Sequence, residues 1–390
     1  MGSGIVGLTL AREILEKFPK KKVIIIEKEK KVALHSSGRN SGVLHAGFYY
    51  TADSLKAKFT RDGNFAMKDY CIKNNLKINY SKKVVVAKDE SEVKTIYELY
   101  NRGIVNNVNV KVISEKELKI LDKNIKTHKV ALYSPDTATV DPIEICNCLV
   151  DELKNKGVKF YFDNGYKKKI NSNEILTTKN DTISYSKIIN CAGLYADKIA
   201  RQFGFSKKYM IVPFKGIYLK YSGENKPVSM NVYPVPNLKN PFLGVHFTIT
   251  VDGDVKIGPT SIPAFWRENY TGFKNFKLFE LIKILGIEAT LFLKNKFGFR
   301  SLAIDEIKKY NRKHFLNLAS YMVNDFDKAG FNKWIRPGIR AQLLDLDSLE
   351  LLMDFVVEGD KDSLHILNAV SPAWTCSIPF SKYLVNKYLS

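Results

Sequence analysis

Apolar positions change their period several times along the chain, and each change predicts an element. Leu10, Ile14 and Leu15 recur at helical spacing within residues 8–18, and Pro19 with the lysines after it ends that run. Val23–Ile26 is an unbroken β-branched run that stops at Glu27, the pattern of a strand covered on both faces of a parallel sheet. From His35 to Tyr50 the chain is rich in Ser, Gly and Asn and reads as irregular. A helix over Ser54–Asn74 and a strand at Val84–Val86 follow, then mixed helix–loop–strand material over about 90–140. A second α/β pass begins where Asp141 caps and Pro142 takes a first helical position. It predicts a helix to Lys156 and strands at Val158–Phe162 and Ile188–Asn190. Short runs broken by Pro and Gly from Ile211 to about Tyr270 predict an antiparallel sheet. Helices dominate Phe273–Phe331, and Gly338–Ser390 carries strands at Phe355–Val357 and Leu364–Leu367, a Ser-Pro turn and a closing helix.

These elements predict an α/β chain with α+β insertions. A dinucleotide-type unit in three pieces (1–85, 141–210 and 333–390) interleaves with a unit of antiparallel sheet and helices (86–140 and 211–332). Gly2-Ser3-Gly4-Ile5-Val6-Gly7, with Glu27 twenty residues further on, has the spacing of a dinucleotide-binding turn. The first Gly permits the tight turn, the second lets backbone approach a pyrophosphate, and the third lets helix and strand pack closely. The helix start offers free N–H groups to phosphates, and Glu27 can accept from a ribose diol. A strand is expected ahead of the glycines, in the middle of the sheet; Met1 leaves no room for it, which suggests a truncated or mis-started sequence.

Composition narrows this picture. The net charge of +21 over 390 residues would attract anions, but the lysines are dispersed and no nucleic-acid motif accompanies them, so nucleic-acid binding is not expected. Five cysteines form no CxxC pair and suggest reduced thiols in a cytoplasmic compartment, without a metal site. No charge-free apolar run approaches the roughly 20 residues of a spanning helix. Residues 276–299 are apolar but interrupted by charges, which predicts a packed amphipathic helix; such a basic helix can also lie on a bilayer, peripheral to an inner membrane.

His35-Ser36-Ser37-Gly38-Arg39-Asn40-Ser41-Gly42-Val43-Leu44-His45-Ala46-Gly47 resembles the L-2-hydroxyglutarate dehydrogenase/oxidase family. The resemblance continues through Phe48-Tyr49-Tyr50, Ser54–Ala57, Cys191–Asp197, Val212–Gly216, Tyr233–Pro236, Pro241–Thr248, Arg336–Gln342 and Asn368–Ala373. It spans almost the whole chain in order and implies FAD, the glutathione-reductase-type flavin fold of the D-amino-acid oxidase superfamily, and oxidation of (S)-2-hydroxyglutarate to 2-oxoglutarate. Electrons would pass on to a quinone pool or to oxygen. Besides the missing strand there are two departures: Lys215 stands where many relatives carry Arg, and Trp374 where a small residue is usual.

Hydride transfer to a flavin requires the protein to orient the substrate and remove a hydroxyl proton. His246 and His45, each inside a family-like block, are the candidate bases, while His35 is expected to brace the flavin loop. A dicarboxylate needs two cationic sites. Lys215, Arg336 and Arg340 are candidates, with Tyr49 and Tyr50 as hydroxyl donors. Cofactor contacts are expected from residues 2–7 (Gly2, Ser3, Gly4, Ile5, Val6, Gly7), from Glu27 and Lys28, and from the loop Ser36, Ser37, Gly38, Arg39, Asn40 and Ser41. Val85, Cys191, Ala192, Gly193, Arg340, Ser371, Pro372 and Ala373 complete the set, the last three against the pyrimidine edge of the ring. Two other readings stay open. One is an amine or D-amino-acid oxidase of the same superfamily, since one fold hosts several chemistries; the other is a flavin-free basic binding protein.

Overall fold

Short sheets built on parallel pairs stand beside a larger, mostly antiparallel sheet. The structure, a computed structural model, describes residues 1–238 and 242–389; Pro241 of one family-like block and the terminal Ser390 lie outside them. Ile24–Ile26 pairs in parallel with Lys159–Tyr161. Ile188–Asn190 pairs in parallel with Ser363–Asn368, whose other edge carries Val356–Gly359. Met1 and Gly2 lie between these two pairs. The Gly2 amide donates to Ile26 O at 2.9 Å, the Met1 amino group to Ile189 O at 2.7 Å, and the Cys191 amide to Met1 O at 2.9 Å. The first two residues thus occupy the mid-sheet place expected for the strand ahead of the glycines.

The helix Ile5–Lys17 leaves from this point and buries Ile5, Leu8, Ala11 and Leu15. It packs against Pro142–Asn155 and against the closing helix Ala373–Tyr388. Asp141 caps the former through the amides of Ile143 and Glu144, with Pro142 in its first turn, as its sequence predicts. The Thr9 hydroxyl lies 3.2 Å from Ser377 O and 2.8 Å from Ser381 Oγ, which ties the first helix to the last.

The larger sheet has eight strands. Their order is Phe331–Trp334, Leu219–Tyr221, Val255–Gly258, His246–Ile249, Asn231–Pro234, Lys83–Val86, Val130–Ser134, Lys111–Ser114. The strand Lys83–Val86 therefore pairs here, with Asn231–Pro234 and Val130–Ser134, and not beside the glycine turn. A fully buried Val-Val-Val run looks the same whichever sheet covers it, so its period could not assign it. Four strands lie where the apolar period predicts none. Tyr166–Lys169, Glu174–Thr177 and Thr182–Ser184 form a small antiparallel meander. Gly338–Asp345 pairs residue for residue with Tyr209–Gly216.

The helix Leu278–Lys294 departs from expectation. Only Glu280, Ile284 and Leu291 are buried, while Phe273 and Phe279 are 83% and 86% exposed and Ile282, Leu293 and Phe297 are also open to solvent. Among the described residues, no helix is long and apolar enough to cross a membrane.

Candidate active site

A continuous cavity of about 1910 Å³ runs from the glycine turn, past the 35–45 loop, to the edge of the eight-stranded sheet. At its first end a side chain on either outer glycine would collide with backbone. A Cβ on Gly2 would lie 2.5 Å from Cys191 O, and one on Gly7 2.1 Å from Gly2 O. Gly2 also has φ +91°, which L side chains rarely adopt. The Glu27 carboxylate accepts from the Ser3 amide and hydroxyl, both at 2.8 Å, and from the Glu29 amide at 3.0 Å. The Cys191–Gly193 turn closes over the glycines. Behind it Asp197 is clamped by Arg267 at 2.7 and 2.8 Å in a fully buried pair.

The 35–45 loop is held by its own side chains. Ser37 Oγ accepts from the Ile5 amide at the helix start, and Ser36 Oγ donates to Ile339 O. Asn40 donates to Ser36 O and Ser37 O and accepts from the Gly42 amide. Arg39, expected among the cofactor contacts, donates to Leu34 O and Pro337 O and stacks over Tyr270 at 4.2 Å, so its guanidinium is engaged by the fold. His35 does brace this loop: Nδ1 meets Tyr270 Oη at 2.7 Å and Nε2 meets Glu29 at 2.9 Å. Glu29, His35 and Glu268 converge within 4.8 Å, a spacing that suits a metal, but the Lys28 ammonium sits among them, bonded to Glu29 and 2.7 Å from Glu268, and supplies the cation. Trp374 Nε1 donates to Ser37 O, which ties the closing helix to the loop.

The inner chamber holds the two candidate bases. His246 Nδ1 faces Gly244 O at 2.7 Å, and its ring stacks on Tyr233 at 3.7 Å. A carbonyl can only accept, so Nδ1 carries the proton and Nε2 presents a lone pair. Burial drives the His246 pKa down to about 3, with Lys83, Lys256 and Arg340 adding to the fall. Burial, then Lys83 and His246, hold His45 well below the ordinary imidazole range too. Both rings are neutral at pH 7.

Two cations face this chamber, with Asp354 acting on Lys56 and Glu306 on Arg340 from beyond ion-pair distance. Arg340 donates to Ser261 Oγ at 3.0 Å and lies over Phe242; Lys56, 5% exposed, donates to Ser371 O at 3.0 Å. Neither makes an ion pair among the described residues. Burial lowers Lys56 to about 8. The Tyr49 hydroxyl is buried at the cavity wall with no partner among the described residues.

Of the sequence-selected residues, all but Gly7, Gly38 and Val85 line this cavity. The two glycines pack just behind it; a Cβ on Gly38 would meet Ala33 O at 2.0 Å. Val85 is a correction: it is fully buried in the eight-stranded sheet, among Phe48, Tyr49 and Tyr233. The predicted cation trio is not brought together either. Phe214 faces Arg340 and Lys215 faces Ile339, so the pleat sends Lys215 to the other face of that ribbon, where it donates to Asn269. Arg336 is exposed at the rim. Lys56 and Tyr233, which line the cavity, and Lys83, which lies behind it against His45, were not among the residues selected from the sequence. Lys56 and Tyr233 stood in family-like blocks, and a lysine heading a Val run was the available signal for Lys83.

Residues 1–380 match the protein family described as FAD dependent oxidoreductase (DAO). The chain belongs to that family. It is 34% identical to the mitochondrial L-2-hydroxyglutarate dehydrogenase of Dictyostelium discoideum, over 99% of this chain and 91% of that protein. It is 29% identical to the L-2-hydroxyglutarate dehydrogenase of Escherichia coli K12, over 99% and 92%. In fold it is similar to FAD-bound, dithionite-reduced L-α-glycerophosphate oxidase from Mycoplasma pneumoniae (TM-score 0.74, 21% identity, 99% of this chain and 92% of that one). Glycine oxidase from Geobacillus kaustophilus is another such neighbour (0.70, 15%, 100% and 92%).

The residues of this FAD-dependent oxidoreductase fit the cofactor. Gly2 and Gly7 tolerate no Cβ, the Ile5–Lys17 helix has no acidic residue in its first turn, and the cavity exceeds the several hundred Å³ that one small acid needs. Gly2–Val6 and Glu27 suit the diphosphate and ribose, and the Ser371–Ala373 turn opens the closing helix toward the cavity, where its dipole favours negative charge.

Proposed function

We propose that this chain oxidises (S)-2-hydroxyglutarate to 2-oxoglutarate, with FAD supplying the hydride acceptor. One observation carries the reading: Arg340 and Lys56 are cations facing an inner chamber, neither in an ion pair among the described residues, beside a histidine whose Nε2 has no hydrogen-bond partner among them. A dianion completes such a site, because charge-assisted bonds to carboxylates are worth most where water is excluded. Arg340 holds one carboxylate and Lys56 the other, with Tyr49 donating its hydroxyl. His246 Nε2 takes the hydroxyl proton while the carbon-bound hydrogen leaves with two electrons and the C=O bond forms. The dianion offsets the surrounding positive charge and so raises the basicity of His246 when it is needed. The full-length likeness to two L-2-hydroxyglutarate dehydrogenases agrees with this.

Anaerobic mixing of holoenzyme with (S)- and with (R)-2-hydroxyglutarate tests it. The (S) form should bleach the yellow of the oxidised flavin as the ring takes up the hydride. Bleaching by neither enantiomer, or by glycine or sarcosine instead, rejects the assignment.

The electrons pass on to a quinone or to oxygen, and the exposed face of the Leu278–Lys294 region favours the quinone. Phe273, Phe279, Ile282, Leu293 and Phe297 project among Lys277, Lys283, Lys294 and Lys296, a pattern that suits an anionic bilayer surface. Phe276 and Lys277, next to this face, line the cavity. Co-flotation with anionic but not neutral vesicles, weakened by salt and lost in Phe279→Asp, is expected; no flotation with either lipid argues against membrane contact.

A further inference from the structure

The strand Lys83–Val86 alternates across the eight-stranded sheet. Val84 and Val86 join one core cluster, while Val85 packs on the other face among Phe48, Tyr49 and Tyr233. Lys83 shares that second face. It has 0% exposure and no ion pair among the described residues. Its ammonium lies 4.2 Å from the Tyr233 ring centre, 5.4 Å from Tyr49 and 5.7 Å from Phe48. Among the described residues, the one polar contact of its ammonium is His45 Nδ1, at 3.4 Å. Among the described residues, the titratable groups around it are His45, Tyr49 and Tyr233, with His246 stacked behind Tyr233 and no Asp or Glu.

A buried charged group without a partner costs several kcal/mol, and an aromatic cage recovers only part of that. The cost calls for a role. Burial lowers Lys83 to about 7; below that pH it is an ammonium, which has donors and no acceptor, so the nitrogen it faces must hold a lone pair. For a neutral His45 that places the proton on Nε2. At His246 the Gly244 carbonyl imposes the reverse state, Nδ1–H with a bare Nε2. Both rings line the same chamber.

We propose that Lys83 is a positioning residue that fixes His45 as a hydrogen-bond donor, so that the chamber faces its ligand with one imidazole N–H and one imidazole lone pair. Its meaning for catalysis rests on the proposed hydroxy-acid reading. There, His246 accepts the hydroxyl proton while the His45 N–H bonds an oxygen of the acid and keeps it in register. The tautomer itself does not depend on which substrate is used.

The test is a two-bond proton–nitrogen spectrum of holoenzyme carrying nitrogen-15 histidine, at about pH 6, where a lowered lysine still keeps its proton. With six histidines in the chain, a His45→Asn variant assigns the ring. The wild type should show His45 protonated at Nε2 and His246 at Nδ1. In Lys83→Met, a similar length of apolar chain in an apolar cage, the His45 signals should move to the other tautomer or to a mixture. Lys83→Arg, which keeps a donor, should retain the wild-type pattern. A wild-type His45 protonated at Nδ1, or a His45 tautomer unchanged in Lys83→Met, overturns the proposal. Should Lys83→Met not fold, the wild-type and Lys83→Arg spectra decide alone. If the spectra agree but neither 2-hydroxyglutarate enantiomer reduces the flavin, the substrate reading fails and the positioning role stands.

Discussion

Replacing Gly7 by Ala separates two effects that usually act together. Gly7 lies inside the Ile5–Lys17 helix, and Gly286 lies inside Leu278–Lys294. In both, Gly→Ala should gain up to about 1 kcal/mol from helix propensity alone. At Gly286 nothing lies within 4 Å of an added Cβ, so that gain should appear in full. At Gly7 the Cβ would sit 2.1 Å from Gly2 O, closer than real Cβ contacts by about 1 Å, and the obstacle is backbone. The helix cannot retreat, because Leu8 is fully buried and Thr9 is bonded to Ser377 and Ser381. Overpacking of this kind costs about 1–3 kcal/mol. The net result should be a loss of up to about 2 kcal/mol at Gly7 against a gain of up to about 1 kcal/mol at Gly286. Moving Gly2 also spoils the diphosphate cradle, so FAD should dissociate at least tenfold more readily for each 1.4 kcal/mol lost there. Urea denaturation of both variants and FAD titration followed by flavin fluorescence measure the two quantities. A Gly7→Ala protein as stable as Gly286→Ala, with its FAD affinity unchanged, would refute the steric account of the cradle.

Three further outcomes are expected. His246→Asn should stay yellow but reduce its flavin about 10²–10⁴-fold more slowly with (S)-2-hydroxyglutarate in stopped flow, the usual worth of a general base; an undiminished rate removes His246 from the chemistry. Arg340→Met should weaken binding of 2-oxoglutarate about 10–100-fold by calorimetry, the scale of a lost charged hydrogen bond, while Lys215→Met changes it little. Acidification should expose the buried imidazole: His246 titrates at about 3 folded against 6.5 ordinarily, so the unfolded chain binds the extra proton between those values. Its contribution is therefore complete above pH 6.5 and falls as the pH drops toward 3, by about 3 kcal/mol at pH 4.5. Stability curves of wild type and His246→Asn should converge as the pH falls, and parallel curves contradict the burial argument.

Much of the cofactor half could be read from residues alone, because the demands there are local. A glycine spacing, an acid at a strand end and a Pro after an Asp cap each report their own geometry. The substrate half was less legible. Whether Lys215 and Arg340 converge depends on strand register, and register is set by a partner more than a hundred residues away. Val85 was misplaced for a related reason, since a buried Val run carries no label for its sheet. Lys56 and Lys83 escaped notice because a lysine is ordinarily read as surface, and only packing shows that these two are not. The exposed side of Leu278–Lys294 was hidden by the same logic in reverse.

The interlocking of the first and last helices has a consequence for how this protein is made. His45 N bonds Thr375, Trp374 reaches Ser37, and Thr9 reaches Ser377. A ribosome releases residues 2–45 long before residues 371–381 exist, at about 5–20 residues per second. For much of that interval the nascent glycine turn has no roof, and the half-built sheet has no closing helix against it. Flavin capture is therefore a post-synthetic event, and stalled or nonsense-truncated chains ending before residue 371 should emerge colourless however well their beginnings have folded.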